Sequence, residues 1–205
     1  MELYVFPVAQ ILLYPSFSKP FVVVEPQFVQ MIEDSVRTGT PVAVGLVHEP
    51  MHTYQFHVGQ KLNFVNEVVG YGLPLIVERR PDGALVVFIE GQGKARLGVV
   101  LDKRRPYIVC EAEKIEENHH ILPDVFPQFL SVHRVMIGWM NAHISDDRSR
   151  EQFIGYIKSP EQVIGCYASY LIVDSDIQQL LLDSNDINEK IKVISRVIYS
   201  KGLVA

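Results

Sequence analysis

The chain has 205 residues, 48% hydrophobic and 21% charged, the balance of an ordinary water-soluble globular protein long enough to bury a real core. Its net charge of −5 and pI near 5.8 argue against a dedicated nucleic-acid binder, since such domains are usually basic. The longest nearly apolar run, residues 163–173, falls short of the about 20 residues that cross a bilayer.

The opening residues break apolar runs with prolines: Phe6-Pro7, Ile11-Leu12-Leu13-Tyr14-Pro15, then Pro20-Phe21-Val22-Val23-Val24. No basic segment precedes the first run, so a signal peptide is not expected. Proline donates nothing to a sheet ladder, which predicts edges or turns at Pro7 and Pro15. Glu25-Pro26 opens a helix over 26–37, because proline is preorganised for the first helical position and an acid suits the positive end of the dipole. Residues 41–47 read as a strand covered on both faces. Residues 68–77 and 84–90 flank Arg79-Arg80-Pro81-Asp82-Gly83, a hairpin whose Asp-Gly supplies positive φ at the tip. A turn follows at Gly91-Gln92-Gly93-Lys94, with Lys94 and Arg96 facing solvent, and another strand at 107–112.

Beyond Asn118 the period becomes helical. Val125, Phe129, Val132, Met136, Trp139, Met140 and His143 form one stripe of a long helix, with Trp139 and Met140 expected in the core. Ser159-Pro160-Glu161-Gln162 and Ser175-Asp176-Ile177-Gln178 read as capping boxes. Asp186 reads as an Asx cap before the stripe Ile187, Ile191, Ile194 and Ile198. The predicted division is a β subdomain over 1–117 and a helical subdomain over 118–205, with the exposed linker histidines His119 and His120 near the boundary. Cys110 and Cys166 sit in apolar surroundings and read as buried thiols of a reducing cytosol, a single bridge being the alternative.

The proline-broken start, Pro81-Asp82-Gly83, Phe88-Ile89-Glu90-Gly91, the basic Lys94-Ala95-Arg96-Leu97 and the capped helices occur in one order. That ordered set resembles the Lon protease N-terminal domain family over nearly the whole chain. The resemblance implies an α+β fold: an N-terminal PUA-like β pseudobarrel of about six strands with one inserted helix, then a bundle of about four or five helices. It also implies non-catalytic recognition of exposed hydrophobic or unfolded polypeptide segments in cytoplasmic protein quality control, with no cofactor. Because the chain ends at Ala205 soon after the helices, a free-standing member without ATPase and Ser-Lys peptidase domains is expected. Such a module would act as an adaptor for a protease or chaperone, or as a homodimer. An exposed sheet edge can add an extended segment, and an apolar groove can hold its side chains. On that reading Tyr14, Phe17, Phe21, Glu90 and Arg96 are the candidate peptide-binding residues, the core being the alternative place for the aromatics.

Other chemistries leave weaker traces. His48-Glu49-Pro50-Met51-His52 matches H-E-x-x-H, but a helix-interior proline costs about 3 kcal/mol and the next residues look strand-like. A loop or hairpin tip is the better reading; a metal site from His48, His52 and His57, and with it a metal-dependent hydrolase, is the weakest alternative. Gly91-Gln92-Gly93-Lys94 lacks the spacing and the hydroxyl residue of a phosphate loop. Arg79-Arg80 and Lys103-Arg104-Arg105, with Tyr54, Phe56, Phe64 and Tyr71, raise RNA binding through the barrel as a second hypothesis, against solvated loop charges.

Overall fold

A computed structural model of the chain describes residues 1–48, 56–102 and 104–200. They form two compact units, Met1–Ile115 and Glu116–Ala205. The first contains β1 (Glu2–Val8), β2 (Ser18–Val23), α1 (Pro26–Thr38), β3 (Val42–Leu46), β4 (Val68–Arg79), β5 (Leu85–Asp102) and β6 (Ile108–Lys114). Strand order is β2-β5-β4-β3-β1-β6, and β5 also pairs with β6. The strands β5-β4-β3-β1-β6 therefore close a ring, and β2 lies outside it against β5.

Strand alternation divides the apolar residues into two cores. Leu3 and Val5 of β1 join Val69, Tyr71, Ala95 and Leu97 in one cluster, inside the ring. Their alternates Tyr4 and Phe6 face outward and pack with Met31 and Ile32 of α1. Helix α1 begins at Pro26, as its dipeptide signal predicts, and ends on Gly39 at φ 73, whose N–H donates to the Ser35 carbonyl at 2.8 Å. Between β4 and β5, Gly83 adopts φ 88, Arg80 N–H donates to the Ala84 carbonyl at 2.9 Å, and Ala84 N–H donates to Asp82 Oδ1 at 3.0 Å. This is the Asp-Gly hairpin expected from the sequence.

Two expectations are corrected here. Gly91-Gln92-Gly93-Lys94 is no turn but the middle of β5, with a bulge where Tyr71 pairs with Gly93 and Gly72 with Gly91. The glycines serve close backbone approach: a Cβ on Gly91 would lie 2.0 Å from the Tyr14 carbonyl oxygen, and one on Gly70 1.7 Å from that of Leu13. Lys94 accordingly is buried, not in solvent. Pro7 does not mark an edge strand either. It sits opposite Gly45 of β3, just past Val5, where the β6 pairing stops, so its missing N–H costs no ladder bond. Pro15 lies in the connection before β2.

The second unit holds α2 (Phe126–His143), α3 (Asp147–Tyr156), α4 (Pro160–Cys166), a π-helical turn at Tyr167–Leu171, α5 (Ser175–Asp183) and α6 (Ile187–Ser200). The Ser159 capping box is formed: its Oγ accepts from Gln162 N–H at 3.3 Å, and Gln162 Oε1 accepts from Ser159 N–H at 3.1 Å. For α5 the cap is Asp174, which accepts from Asp176 N–H at 2.9 Å, and Ser175 is already helical. A carboxylate one residue earlier displaced the expected serine. All four isoleucines of the α6 stripe are buried, as is Met140, whereas Trp139 is half-buried and stacks on His143 with centroids 4.8 Å apart. Helix α3 has no buried residue and hence no apolar stripe to announce it. The chain is thus α+β, a β unit with one inserted helix followed by a helical unit. Cys110 and Cys166 are buried and form no disulfide, and burial pushes the Cys110 thiol up to about 12.

Candidate peptide-docking face

Past the ring, the second half of β4 and the first half of β5 run on together, joined by β2, as a three-stranded arm. Its inward face is ordinary core: Phe21, Val23, Ile76, Leu85, Val87 and Ile89 pack in the cluster that contains Met31 and Ile32. The opposite face continues the sheet surface that carries Val69 and Tyr71 inside the ring, but on the arm its large apolar residues are exposed. Register places Leu75 beside Phe88 and Phe88 beside Pro20, with Val22 beside Val86. Val77 is the extra residue at the bulge between Ile76 and Glu78. Exposure is 66% for Leu75, 58% for Val77, 52% for Val22, 39% for Phe88 and 38% for Leu73. Large apolar side chains gathered on one exposed sheet face make this strip the candidate interaction surface of the β unit.

The arm's edges are defended although its face is not. β3 pairs β4 only through Val42–Val44 against 70–72, so Pro74 lies on a stretch of β4 whose far side is unpaired. Among the described residues β2 pairs only with β5, and it carries Pro20. Gly91 N–H donates to the Phe17 carbonyl at 2.9 Å, and antiparallel alternation from that bond turns the backbone of Pro20 toward the free edge. A proline thus interrupts each edge, a usual device against edge-to-edge pairing.

Helix α1 holds the arm from behind. Arg79 near the hairpin donates to Glu33 Oε1 at 2.5 Å. One position along, the buried Asp34 accepts from the Tyr107 hydroxyl at 2.7 Å, from Arg105 at 3.3 Å and from Arg37. The Tyr107 bond, then the Arg37 and Arg105 guanidiniums, hold the Asp34 carboxyl below its ordinary range against the opposing cost of burial. Burial, then the bond to Asp34, pushes the Tyr107 phenol up. The Arg105 guanidinium also lies over the rings of Tyr4 and Tyr107, 5.4 and 5.7 Å from their centroids.

The residues singled out from sequence are dispersed. Tyr14 and Phe17 are 3% exposed and Phe21 6%, so they lie beneath the surface. Glu90 stands on the apolar face, opposite Leu73. Arg96 lies elsewhere, paired with Glu67 at 3.2 Å, and helps line a cavity of about 610 Å³ with Lys61, Gly98, Glu111, Glu113 and Lys114. His48 follows β3 in a bend and His57 is exposed; Glu49 and His52 lie outside the described residues, as do Tyr54 and Lys103. Among the described residues no three His, Cys, Asp or Glu side chains cluster as metal ligands. Phe64 and Tyr71 are buried and Phe56 is half-buried. Arg79, Arg80, Arg104 and Arg105 are each paired with a carboxylate. No helix of the described residues is long and apolar enough to cross a membrane. What sequence reading missed is the face itself. The available signal was apolarity at both parities in Leu73-Pro74-Leu75-Ile76-Val77 and Leu85-Val86-Val87-Phe88-Ile89, the pattern of strands that need cover on both sides.

The fold has clear counterparts. A crystal structure of the Lon N-terminal domain protein from Xanthomonas campestris superposes with a TM-score of 0.67 at 15% identity, over 95% of this chain and 96% of that one. The N-terminal domain of Mycobacterium avium complex Lon protease gives a TM-score of 0.68 at 12% identity, over 95% and 96%. Among curated proteins none matches the sequence. The family model described as the ATP-dependent protease La (LON) substrate-binding domain matches residues 2–198. The chain belongs to the LON substrate-binding domain family.

Proposed function

We propose that this chain is a non-catalytic module that captures exposed hydrophobic or unfolded polypeptide segments on the uncovered face of the β2–β5–β4 arm. The observation that carries the reading is the strip Val22, Leu73, Leu75, Val77 and Phe88, apolar and exposed on a sheet whose other face is core. Burying such side chains stabilises a complex by about 25 cal/mol per Å² of apolar surface, and the strip is chemically indifferent to sequence, as a binder of many unfolded chains must be. Membership of a substrate-binding family supports the same reading. Handing the captured segment to a protease or chaperone is the role that a module of this kind would play. The pairing of Arg79, Arg80, Arg104 and Arg105 with carboxylates favours polypeptide over RNA as the ligand of the β unit.

The test is binding of a reduced, carboxymethylated and permanently unfolded model protein to wild type and to Leu75→Asp. A charge at the centre of the strip is expected to weaken binding at least tenfold while leaving the circular-dichroism melt within about 2 °C, because Leu75 is largely solvated in the free protein. Wild-type affinity in the variant overturns the assignment of the face.

A further inference from the structure

Two carboxylates stand on the face that carries the apolar strip. On the exposed side of the arm, Glu90 stands at the barrel end, with Leu73 and Ser18 as its register partners, and Glu78 stands at the hairpin end opposite Val86. The two ends differ. Glu78 is compensated by Arg80 at 3.8 Å, and the neighbouring Arg79 is taken by Glu33. Among the described residues Glu90 makes no ion pair, and it is exposed. Val86 and Glu90 lie four residue steps apart along β5, about 13 Å at roughly 3.3 Å per residue. An extended stretch of about four apolar residues spans that gap, with its next residue over the Glu90 carboxylate. We propose, building on the docking reading above, that the preferred ligand is an extended apolar segment bordered by lysine or arginine at the end lying over Glu90, and that acid-bordered segments are rejected there. An unpaired carboxylate beside a partly desolvated apolar strip attracts the first and repels the second.

Two fluorescent peptides with the same apolar centre, one bordered by lysines and one by glutamates, test this by anisotropy titration against wild type, Glu90→Gln, Glu90→Lys and Glu113→Gln. The lysine-bordered peptide is expected to bind wild type about three- to tenfold more tightly, as exposed charge pairs allow, and the ratio should shrink at 1 M salt. Glu90→Gln should bring the ratio near unity and Glu90→Lys should invert it. Glu113→Gln removes one negative charge at the other cavity and should leave the wild-type ratio, which separates a local effect from the overall −5 charge. Equal binding of both peptides, or a preference that survives Glu90→Lys, overturns the charge selection while the docking face stands. If neither peptide binds, the docking reading falls and takes this inference with it.

Discussion

Tyr107→Phe isolates one hydroxyl in the polar cluster behind the arm. The phenol donates to Asp34 Oδ2 at 2.7 Å and accepts from Arg105 Nη1 at 2.5 Å, while the ring is buried and stays. No cavity opens, so the loss is that of hydrogen bonds to charged groups, about 1.5–3 kcal/mol. For a chain of 205 residues melting as one unit, about 2 kcal/mol corresponds to roughly 4–8 °C in Tm. The effect depends on pH with a definite sign. Asp34 titrates below its ordinary 3.8 in the folded chain. Its contribution is therefore complete above the unfolded value and is lost as pH falls through the lower folded value. Urea titrations followed by far-UV circular dichroism at pH 7 and at steps down to pH 3 give the difference between wild type and variant. It should be near 2 kcal/mol at pH 7 and shrink below pH 4, toward the about 1 kcal/mol of a neutral hydrogen bond. A difference under about 0.5 kcal/mol at pH 7, or one that grows on acidification, refutes the reasoning.

Gly91→Ala forces a methyl to within 2.0 Å of the Tyr14 carbonyl oxygen, with backbone on both sides, so a loss of at least about 2 kcal/mol in urea stability is expected. Gly83→Ala at the open hairpin tip, by contrast, meets nothing within 4 Å and should cost only the strain of φ 88, about 1 kcal/mol. In the helical unit, Lys190 donates to both oxygens of Glu117 at 2.8 Å with both side chains largely buried. Lys190→Ala should cost about 3 kcal/mol in urea stability, because it removes both charge-assisted bonds that Lys190 gives to a largely buried carboxylate. With its thiol raised to about 12, native Cys110 should react with iodoacetamide at pH 8 at least a hundredfold more slowly than in urea, as read by mass spectrometry.

Local signals in the sequence located most elements, and the failures have physical causes. Asp82-Gly83 and the Ser159 box specify geometry within a few residues, and both formed as expected. Gly91 and Gly93 carry turn chemistry locally, but here Gly91 admits the Tyr14 backbone and Gly93 the Tyr71 ring, contacts whose partners lie far away in sequence. The prolines that guard free edges proved to be Pro20 and Pro74, since edge status depends on which strands pair and where pairing stops. The exposed apolar face was hidden for the same reason. Leu75 and Ile76 look alike in a continuous apolar run, and only the tertiary structure shows that Ile76 packs against the core while Leu75 faces solvent. Tyr14, Phe17 and Phe21 are aromatics beside prolines, but Tyr14 and Phe17 anchor the connection before β2 beneath the surface and Phe21 lies on the inward face of β2.

Methyl-selective NMR of the whole chain, titrated with a lysine-bordered apolar peptide, tests the docking face most directly. The account predicts that the largest shifts fall on the methyls of Val22, Leu73, Leu75, Val77 and Val86, with Leu97 at the other cavity and Leu122 and Leu130 of the helical unit little changed. Saturable shifts centred on Leu97 or on the helical unit, with Leu75 unmoved, would contradict it.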